Sequence, residues 1–522
     1  MRHRRRRDSR RRPPRAAGAR GAQALRCSAS RLLPSDVDYR TCLPNLSDSS
    51  HTGAVTLAVG LDVGSSTVKA SLVELTDAVS VLHVARAATA ATVDELLSTV
   101  AAVTRECAEA ARGPIAAVGI ASMAESGAPL DARGRPLTPL LRWDRSVQSR
   151  HLQSVRAENP DLAAVTGVPA TGKPAVVALT ALRADSPDVF AATRYWGGVA
   201  DLVAHALTDV RATDHTLAAR TMMAGANGEA WDAAVLSALG ISEQELPEIR
   251  APGAPVATTS AHARRFGLGR GIPVYVAGHD HVVGAWGAGV RAPGAVADSL
   301  GTAEAIVRVA TDASTSRAVA CGFAVGRTVD GAGTTILGGS PACGAMLAWW
   351  EAQHPGDDTL ATLGRLGPDA WQTTQATVVP YPSGRQCPRP DPDARVRVLG
   401  VAADATDRAR GVLQSLVSHA RWMRETADDL AGSPATDVTV LGSLAARVPA
   451  WAPLVAAAGV PTHLCTLEEP VAAAAALLAA VRAGAASGAL TLPRRPVAAA
   501  GAPGMRDAYR RFLTAVAAEG ES

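Results

Sequence analysis

Two strand-like segments lie near the start of the globular part of the chain, joined by a turn of small residues. Residues 55–62 are almost entirely apolar and end in Asp62, residues 64–67 are Gly-Ser-Ser-Thr, and residues 68–75 are again strand-like. Two such segments separated by a tight glycine turn predict a β-hairpin.

The same arrangement returns in the second half of the chain. Residues 294–300 and 303–309 are apolar and strand-like, and Gly301 and Thr302 stand at the turn between them. A second hairpin with a small hydroxyl residue at its turn indicates an internally duplicated protein with two lobes.

Helices and further strands alternate along the rest of the chain. Strands are predicted at 116–122 and 272–277, and helices at 94–111, 282–289, 405–431, 469–484 and 505–518. This mixture indicates an α/β protein.

Composition and charge restrict the function classes. Hydrophobic residues make up 47% and charged residues 19% of the 522 residues, an ordinary globular balance. The net charge of +4 is misleading, because residues 1–33 hold 12 Arg and one Asp, which leaves 40 basic and 47 acidic residues elsewhere. The basic segment predicts a disordered extension over 1–53; the alternative is an arm that binds nucleic acid.

Neither a membrane protein nor a secreted protein is predicted. The longest apolar run, 471–481, is too short to span a bilayer, and the first 33 residues lack the apolar core of a secretory signal. The seven cysteines show no metal-ligand spacing, which fits a reducing cytosol. We therefore expect a cytoplasmic protein without nucleic-acid or membrane partners. A homodimer is the default expectation for its assembly.

The first hairpin turn carries groups that suit a phosphate. Glycine and small hydroxyl residues expose backbone N–H groups to an anion, and Lys69 adds positive charge. Asp62, at the end of the strand, is a suitable Mg²⁺ contact, usually through water. The alternative is an ordinary tight hairpin with a solvated acid. The turn at Gly301 and Thr302 is the candidate for a second phosphate contact.

Residues 278–281, Gly-His-Asp-His, stand between a predicted strand and a predicted helix. An acid at the carboxyl end of such a strand points into a cleft in α/β folds. Phosphoryl transfer to an alcohol needs a carboxylate that accepts the hydroxyl proton, and Asp280 suits that role. His279 and His281 either shape a substrate pocket or simply pack, and a metal-binding pair is the less favoured alternative.

In their order along the chain, these segments resemble the FGGY family of carbohydrate kinases, which includes glycerol kinase, xylulokinase and fuculokinase. The resemblance covers about residues 55–485. Its further landmarks are Trp143-Asp144-Arg145, Asp214 with the segment 218–223, Leu246-Pro247, the segment 380–388 and Leu399-Gly400. It implies a fold of two ribonuclease-H-like, or actin-like ATPase, domains around a catalytic cleft. The implied boundaries are 54–290 for the sugar-binding domain, 291–485 for the nucleotide-binding domain and 486–522 for a linker with a last helix.

The resemblance also implies Mg-ATP as phosphate donor and a sugar or polyol as acceptor. The catalytic base is Asp280, and the predicted metal contact is Asp62. The predicted nucleotide contacts are Ser65, Ser66, Thr67, Lys69, Gly301, Thr302, Gly442 and Ser443. The predicted acceptor contacts are Glu125, Trp143, Asp144, Arg145, Asp280 and His281. Trp143 either stacks on the apolar face of the sugar or is a core tryptophan. The role of Lys173 is open.

Departures from the family pattern bear on both substrates. Ala124 stands where glycerol kinase has an arginine, which favours a ketose of the xylulose or fuculose type over glycerol. Gly442 alone remains of a glycine cluster, and Ala473–Ala475, after Glu469, replace Gly-Ala-Ala, so added Cβ atoms are expected to crowd the adenine pocket. The alternatives are a kinase of a non-sugar molecule and a non-catalytic sugar- or nucleotide-binding regulator.

Overall fold

The computed structural model describes residues 55–144, 147, 149–368, 371–501 and 503–518. The predicted N-terminal extension, 1–53, and the predicted acceptor contact Arg145 lie outside these residues. The strands are Thr56–Val63 (β1), Thr67–Leu75 (β2), Val79–Ala88 (β3), Ile115–Ser122 (β4), Gly127–Leu130 (β5), Tyr195–Gly198 (β6), Ala212–Asp214 (β7), Glu248–Arg250 (β8), Ala257–Thr258 (β9), Pro273–His279 (β10), Ala295–Leu300 (β11), Glu304–Ala310 (β12), Ala324–Arg327 (β13), Thr334–Ser340 (β14), Thr377–Val379 (β15), Arg397–Leu399 (β16), Asp437–Leu441 (β17), Thr462–Cys465 (β18) and Arg494–Pro496 (β19).

The α-helices are Val93–Ala110 (α1), Ser149–Glu158 (α2), Leu162–Thr166 (α3), Ala175–Asp185 (α4), Pro187–Ala192 (α5), Val199–Thr208 (α6), His215–Arg220 (α7), Ala233–Leu239 (α8), Asp280–Gly287 (α9), Thr315–Ala320 (α10), Gly344–Gln353 (α11), Thr359–Arg365 (α12), Ala405–Ala431 (α13), Ser443–Arg447 (α14), Trp451–Ala456 (α15), Pro470–Arg482 (α16) and Met505–Ala517 (α17). Short 3-10 helices cover Glu243–Glu245 and Ala261–Phe266. Among the described residues, every helix is too short or too polar to cross a membrane.

A six-stranded mixed sheet is built from the first half of the chain, in the order β3-β2-β1-β4-β10-β9. β1 and β2 form the predicted hairpin, antiparallel with Asp62 opposite Lys69. β1, β4 and β10 run parallel, so their carboxyl ends meet at one edge, where Val63 and His279 both lie beside Ser122.

A seven-stranded mixed sheet is built from the second half, in the order β13-β14-β12-β11-β17-β18-β19. β11 and β12 form the second predicted hairpin, and β11 runs parallel to β17 with Ser299 beside Leu441. The turn at Gly301 and Thr302 and the glycine at 442 therefore leave the same edge of this sheet.

Helix α16 belongs to the second half of the chain but packs on the first sheet. A Cβ atom on Gly60 would lie 1.9 Å from the carbonyl oxygen of Ala472, and one on Gly119 would lie 2.0 Å from that of Ala475. The helix backbone therefore touches β1 and β4 directly, and these strands need glycine where it crosses them. Ala473, Ala474 and Ala475 are fully buried in this contact, so their Cβ atoms fill core rather than an adenine pocket.

Candidate active site

The carboxyl edge of the first sheet gathers a lysine and two carboxylates. The ammonium group of Lys69 lies 3.0 Å from Oδ2 of Asp62 and 3.3 Å from Oε2 of Glu469. Burial opposes the charge on Lys69, but the Asp62 and Glu469 carboxylates outweigh it and raise its pKa. The three side chains form a charged cluster held by β1, β2 and the start of α16.

Glu469 is a member of this cluster that sequence reasoning did not assign. Its only sequence signal is its place before the alanine run that opens α16. Burial raises the pKa of the Glu469 carboxyl, and Lys69 opposes that shift. Glu469 thus ties helix α16 to the first hairpin.

Asp280 is the first residue of α9 and follows directly from β10. Its Oδ1 accepts a 2.7 Å hydrogen bond from the backbone N–H of His281 and lies 3.2 Å from Nε2 of His279. Burial raises the pKa of the Asp280 carboxyl; His281 and Lys69 oppose the shift, and the Asp62 carboxylate adds to it. A largely buried carboxylate with a raised pKa, close enough to feel the charges of Asp62 and Lys69, is suited to accepting a proton.

His279 is buried and holds Asp280 in place as a neutral ring. Burial, with His281 and Arg220 adding to it, lowers the pKa of His279 well below its ordinary value. Nε2 of this neutral ring lies 3.2 Å from Oδ1 of Asp280. This contact fixes the carboxylate without neutralising it.

Contacts with α7 hold the backbone segment that carries Asp280. Gly278 has φ 131°, and a Cβ atom there would lie 2.5 Å from the hydroxyl oxygen of Thr216. That hydroxyl accepts a 2.9 Å hydrogen bond from the backbone N–H of His279. Asp214 caps α7 by accepting from the N–H groups of Thr216 and Leu217 at 2.8 and 3.2 Å. Asp214, a predicted landmark, therefore helps to position the segment that carries the predicted base, Asp280.

His281 connects Asp280 with the second sheet. Its Nδ1 lies 3.4 Å from Oγ of Ser299, which stands on β11 just before the turn at Gly301 and Thr302. The carbonyl oxygens of these two turn residues accept from Gly344 and Ala345 at the start of α11, at 3.1 and 3.0 Å. The carbonyls are thereby turned toward protein, and no described residue accepts from the N–H of Thr302.

The first predicted phosphate turn, residues 64–67, is built in a similar way. The N–H of Gly64 donates to Thr67 and the carbonyl of Ser66 accepts from Thr89, both at 3.1 Å. Within the described part of the chain, nothing accepts from the N–H groups of Ser65 and Ser66. These amides are therefore able to bind an anion.

Gly442 lies directly against the second turn. It has φ 106°, and a Cβ atom there would lie 2.3 Å from the carbonyl oxygen of Leu300. Ser443 follows it as the exposed first residue of α14. The structure thus places the surviving glycine of the predicted nucleotide loop beside the predicted phosphate turn.

An ion pair stands where an acceptor is predicted to bind. The carboxylate of Glu125, a residue with φ 66°, accepts a hydrogen bond from Nη2 of Arg220, the last residue of α7. Sequence reasoning missed Arg220, although it lies within the family-like segment 218–223. It supplies a guanidinium near the position where Ala124 lacks one.

Lys173 and Trp143 line the same region. The Lys173 ammonium lies 4.9 Å from the centre of the Trp143 ring and donates a 2.6 Å hydrogen bond to Oε1 of Gln386. The backbone N–H of Trp143 donates to Oγ of Ser126 at 3.1 Å, and the Trp143 side chain is only partly buried. Gln386, which belongs to the family-like segment 380–388, is a contact that sequence reasoning did not assign.

Asp144 is the predicted acceptor contact with the weakest support from geometry. Its carboxylate is exposed and paired with Arg142, with Nη2 to Oδ2 at 2.6 Å and Nε to Oδ1 at 2.9 Å. It is therefore already engaged by a neighbour on its own loop.

His279, Asp280 and His281 are the one group of three potential metal ligands within the described ranges, with donor atoms within 4.8 Å of one another. A cation there would meet the positive end of the α9 dipole and the nearby charges of Arg220 and Lys69. These charges favour an anionic or neutral occupant. For Mg²⁺, the oxygen ligand with the right chemistry is Asp62.

Comparison with known proteins is consistent with this arrangement. The model of the N-terminal domain of the FGGY family of carbohydrate kinases matches residues 57–287, which include Asp62, Glu125 and Asp280. Residues 57–287 therefore match an FGGY N-terminal domain, and the resemblance predicted from the sequence is confirmed.

Individual FGGY relatives are distant in sequence. An L-fuculokinase of Haemophilus influenzae is 26% identical over 178 residues, 34% of this chain and 38% of that protein. A glycerol kinase of Cereibacter sphaeroides is 28% identical over 412 residues, 75% of this chain and 81% of that protein. The chain is thus matched over little more than a third of the length of the fuculokinases.

Solved FGGY structures establish the fold. A xylulose kinase from Brucella ovis superimposes with a TM-score of 0.78 at 20% identity, covering 89% of this chain and 99% of that one. A gluconate kinase from Lactobacillus acidophilus superimposes with a TM-score of 0.75 at 17% identity, covering 88% and 96%. The predicted fold class, mixed α/β with two actin-like ATPase domains, is confirmed.

Proposed function

We propose that this chain transfers the γ-phosphoryl group of Mg-ATP to a hydroxyl group of a sugar or a closely related polyhydroxylated molecule. The observation that carries the proposal is the largely buried Asp280 carboxylate, which starts α9, feels the charges of Asp62 and Lys69, and is linked through His281 to the strand before the Gly301 turn. This arrangement brings a base, a metal-binding acid and two anion-binding turns together.

Asp280 accepts the proton of the attacking hydroxyl. Its orientation is fixed by the N–H of His281 and by the ring of His279. A general base of this kind contributes about 10²–10⁴-fold to the rate.

Asp62 and Lys69 act on the phosphate donor. A carboxylate at a strand end is the oxygen ligand that hydrated Mg²⁺ prefers, and the ion offsets charge on the phosphates when it is bound. The single charge of Lys69 offsets one of the two carboxylates, Asp62 and Glu469, so the cluster keeps one negative charge that suits a cation such as Mg²⁺. The free amides of Ser65, Ser66 and Thr302 orient the transferred group.

The acceptor binds between Trp143 and Asp280. The partly exposed Trp143 ring suits the apolar face of a sugar, and the Glu125–Arg220 pair suits its hydroxyl groups. An L-fuculokinase and a xylulose kinase are among the similar proteins. Among uncharged acceptors, we therefore propose a ketose of this type rather than glycerol. We also retain, as proposals, the domain limits 54–290, 291–485 and 486–522, a cytoplasmic location and a homodimer.

The test is ADP release with Mg-ATP over a panel of ketoses, polyols, aldoses and sugar acids, with wild type, Asp280→Asn and Asp280→Ala. We expect turnover with at least one class, lost by at least about 10²-fold in both variants because the proton acceptor is removed. Asp77→Ala, on an exposed turn, is the matched control and should keep full activity. Melting temperatures within a few degrees of wild type establish that the variants are folded.

Two results would contradict the proposal. Folded Asp280 variants with near-normal rates would remove Asp280 from the chemistry. ATP binding without turnover on any acceptor would favour the non-catalytic regulator.

A further inference from the structure

The ammonium group of Lys173 is a second positive charge in the proposed acceptor region, and no described carboxylate pairs with it. Lys173 is largely buried, and its two close contacts are the neutral amide of Gln386 and the ring of Trp143. Among the described residues no carboxylate lies within ion-pair distance of its ammonium group. A buried ammonium with only neutral partners is costly to keep charged.

The neighbouring Glu125 carboxylate does not supply the missing charge, because it is engaged by Arg220. Within that pair, Nη2 of Arg220 donates to Glu125, while its Nε and Nη1 are buried without a hydrogen-bond partner in the described structure. The pair is neutral, so the region from Trp143 to Arg220 retains one unbalanced positive charge and two unused guanidinium donors.

We infer that the acceptor carries a carboxylate, which pairs with the Lys173 ammonium and lies beside the Arg220 guanidinium, while one of its hydroxyl groups lies at Asp280. This inference rests on the proposed kinase function and names its substrate class: sugar acids, such as aldonates of five or six carbons. In the reaction the hydroxyl oxygen bonds to the γ-phosphorus, the bond from that phosphorus to ADP breaks, and the hydroxyl proton moves to Asp280. The carboxylate stays unchanged and serves only for recognition.

The charge balance distinguishes a carboxylate from the other acceptor classes. A neutral ketose or polyol would leave Lys173 buried and uncompensated in the complex. A sugar phosphate would bring about two negative charges at neutral pH, more than the single excess charge of the pocket. A carboxylate matches one ammonium group, and burial, which lowers the pKa of Lys173, makes that pairing more favourable than the same pair in water.

Electrostatic neighbours also connect the proposed base with the lysine. Arg220 is close enough to His279 to lower its pKa, and His279 contacts Asp280. Glu125 and Arg220 in turn shift the pKa of Lys173, Glu125 upward and Arg220 downward. The groups therefore form a continuous series from the base to the lysine, along which a polyhydroxylated chain is held at both ends.

The experiment compares matched pairs of acceptors in the ADP-release assay with Mg-ATP: gluconate with sorbitol, xylonate with xylitol, and both with xylulose and fuculose. The proteins are wild type, Lys173→Met, Lys173→Arg and the exposed control Arg133→Met. We expect wild type to prefer at least one sugar acid over its polyol by about 10²-fold or more in kcat/KM. Lys173→Met should lose about that factor for the acid, because truncating one partner of a buried charge pair removes most of its discrimination. Lys173→Arg should recover part of it, and Arg133→Met should not differ from wild type.

The outcomes separate this inference from the proposed function. Turnover of neutral acceptors with none of the acids overturns the inference and leaves the kinase function standing. A preference for acids that Lys173→Met does not reduce also overturns it. No turnover with any acceptor overturns both. If Lys173→Met does not fold, calorimetric binding of gluconate and sorbitol to wild type decides the matter: sorbitol binding as tightly as gluconate contradicts the inference.

Discussion

At the scale of single residues, the carboxyl group of Asp280 has to be ionised before it can accept a proton. It is largely withdrawn from water, and the Asp62 carboxylate opposes a second negative charge, so ionisation costs more there than in water. The N–H of His281 and the charge of Lys69 recover part of that cost. A base with a raised pKa is a stronger proton acceptor once it is ionised, which is the advantage of this environment.

The pH dependence of kcat/KM follows from this environment. Because burial raises the pKa of Asp280, we expect activity to fall on acidification at a pH clearly above the ordinary aspartate pKa of about 3.9. His281→Gln removes an imidazole that lowers this pKa, so its acidic limb should move to still higher pH. His262→Gln, at an exposed histidine, is the control and should leave the limb unchanged. An acidic limb at or below pH 4 in wild type would show that the group that titrates is not a buried carboxylate.

The proposed site residues that the sequence suggests are those whose chemistry depends on local sequence. Asp62, Asp280 and Thr302 each stand at the end of a strand or in a turn, and a strand followed by a turn is visible in a few residues. Arg220 and Glu469 could not be assigned, because their partners are far along the chain: Glu125 is 95 residues from Arg220. Such pairs are set by the folding of the two sheets, and no local pattern records them.

At the scale of elements, the two hairpins and the β10–α9 junction follow the predictions closely. The predicted helix at 282–289 begins two residues earlier, at Asp280, because His279 caps it with extended backbone. That difference puts Asp280 in the first turn, where the helix dipole favours the ionised carboxylate. No prediction covers β3, which extends the first sheet beyond β2; only two of its ten positions are buried, so burial gives it no regular alternation.

Gly442→Ala tests the contact between the β17–α14 junction and the second phosphate turn. An added Cβ atom would lie 2.3 Å from the Leu300 carbonyl oxygen, and the φ of 106° is unfavourable for alanine. We expect the KM for ATP to rise by about tenfold or more, since clashes of this kind cost about 1–3 kcal/mol. Gly432→Ala is the matched control, because its φ is 68° but nothing lies within 4 Å of the added Cβ. Equal KM values for ATP in the two variants would mean that strain alone, and not contact with the turn, matters.

At the scale of the whole molecule, α16 joins the two halves of the chain. Its alanine face packs on β1, β4 and α9, and its first turn follows Glu469, which contacts Lys69. At its other end, Arg482 donates to the carbonyl groups of Val276 and Val329 at 3.1 and 2.7 Å. Ala473–Ala475, which stand where the family pattern has Gly-Ala-Ala, have side chains small enough to allow this close approach. Their burial is therefore explained by packing.

Gly119→Ala probes whether this contact supports both stability and activity. The added Cβ would lie 2.0 Å from the carbonyl oxygen of Ala475, a backbone atom that cannot move without shifting α16. We expect the free energy of unfolding to fall by about 1–3 kcal/mol, measured by urea denaturation. Because displacing α16 also moves Glu469 away from Lys69, the folded variant should have a higher KM for ATP. Gly269→Ala, at an exposed position with nothing within 4 Å, should change neither quantity. A stability loss without any change in KM for ATP would restrict α16 to a packing role and separate it from the charged cluster at Lys69.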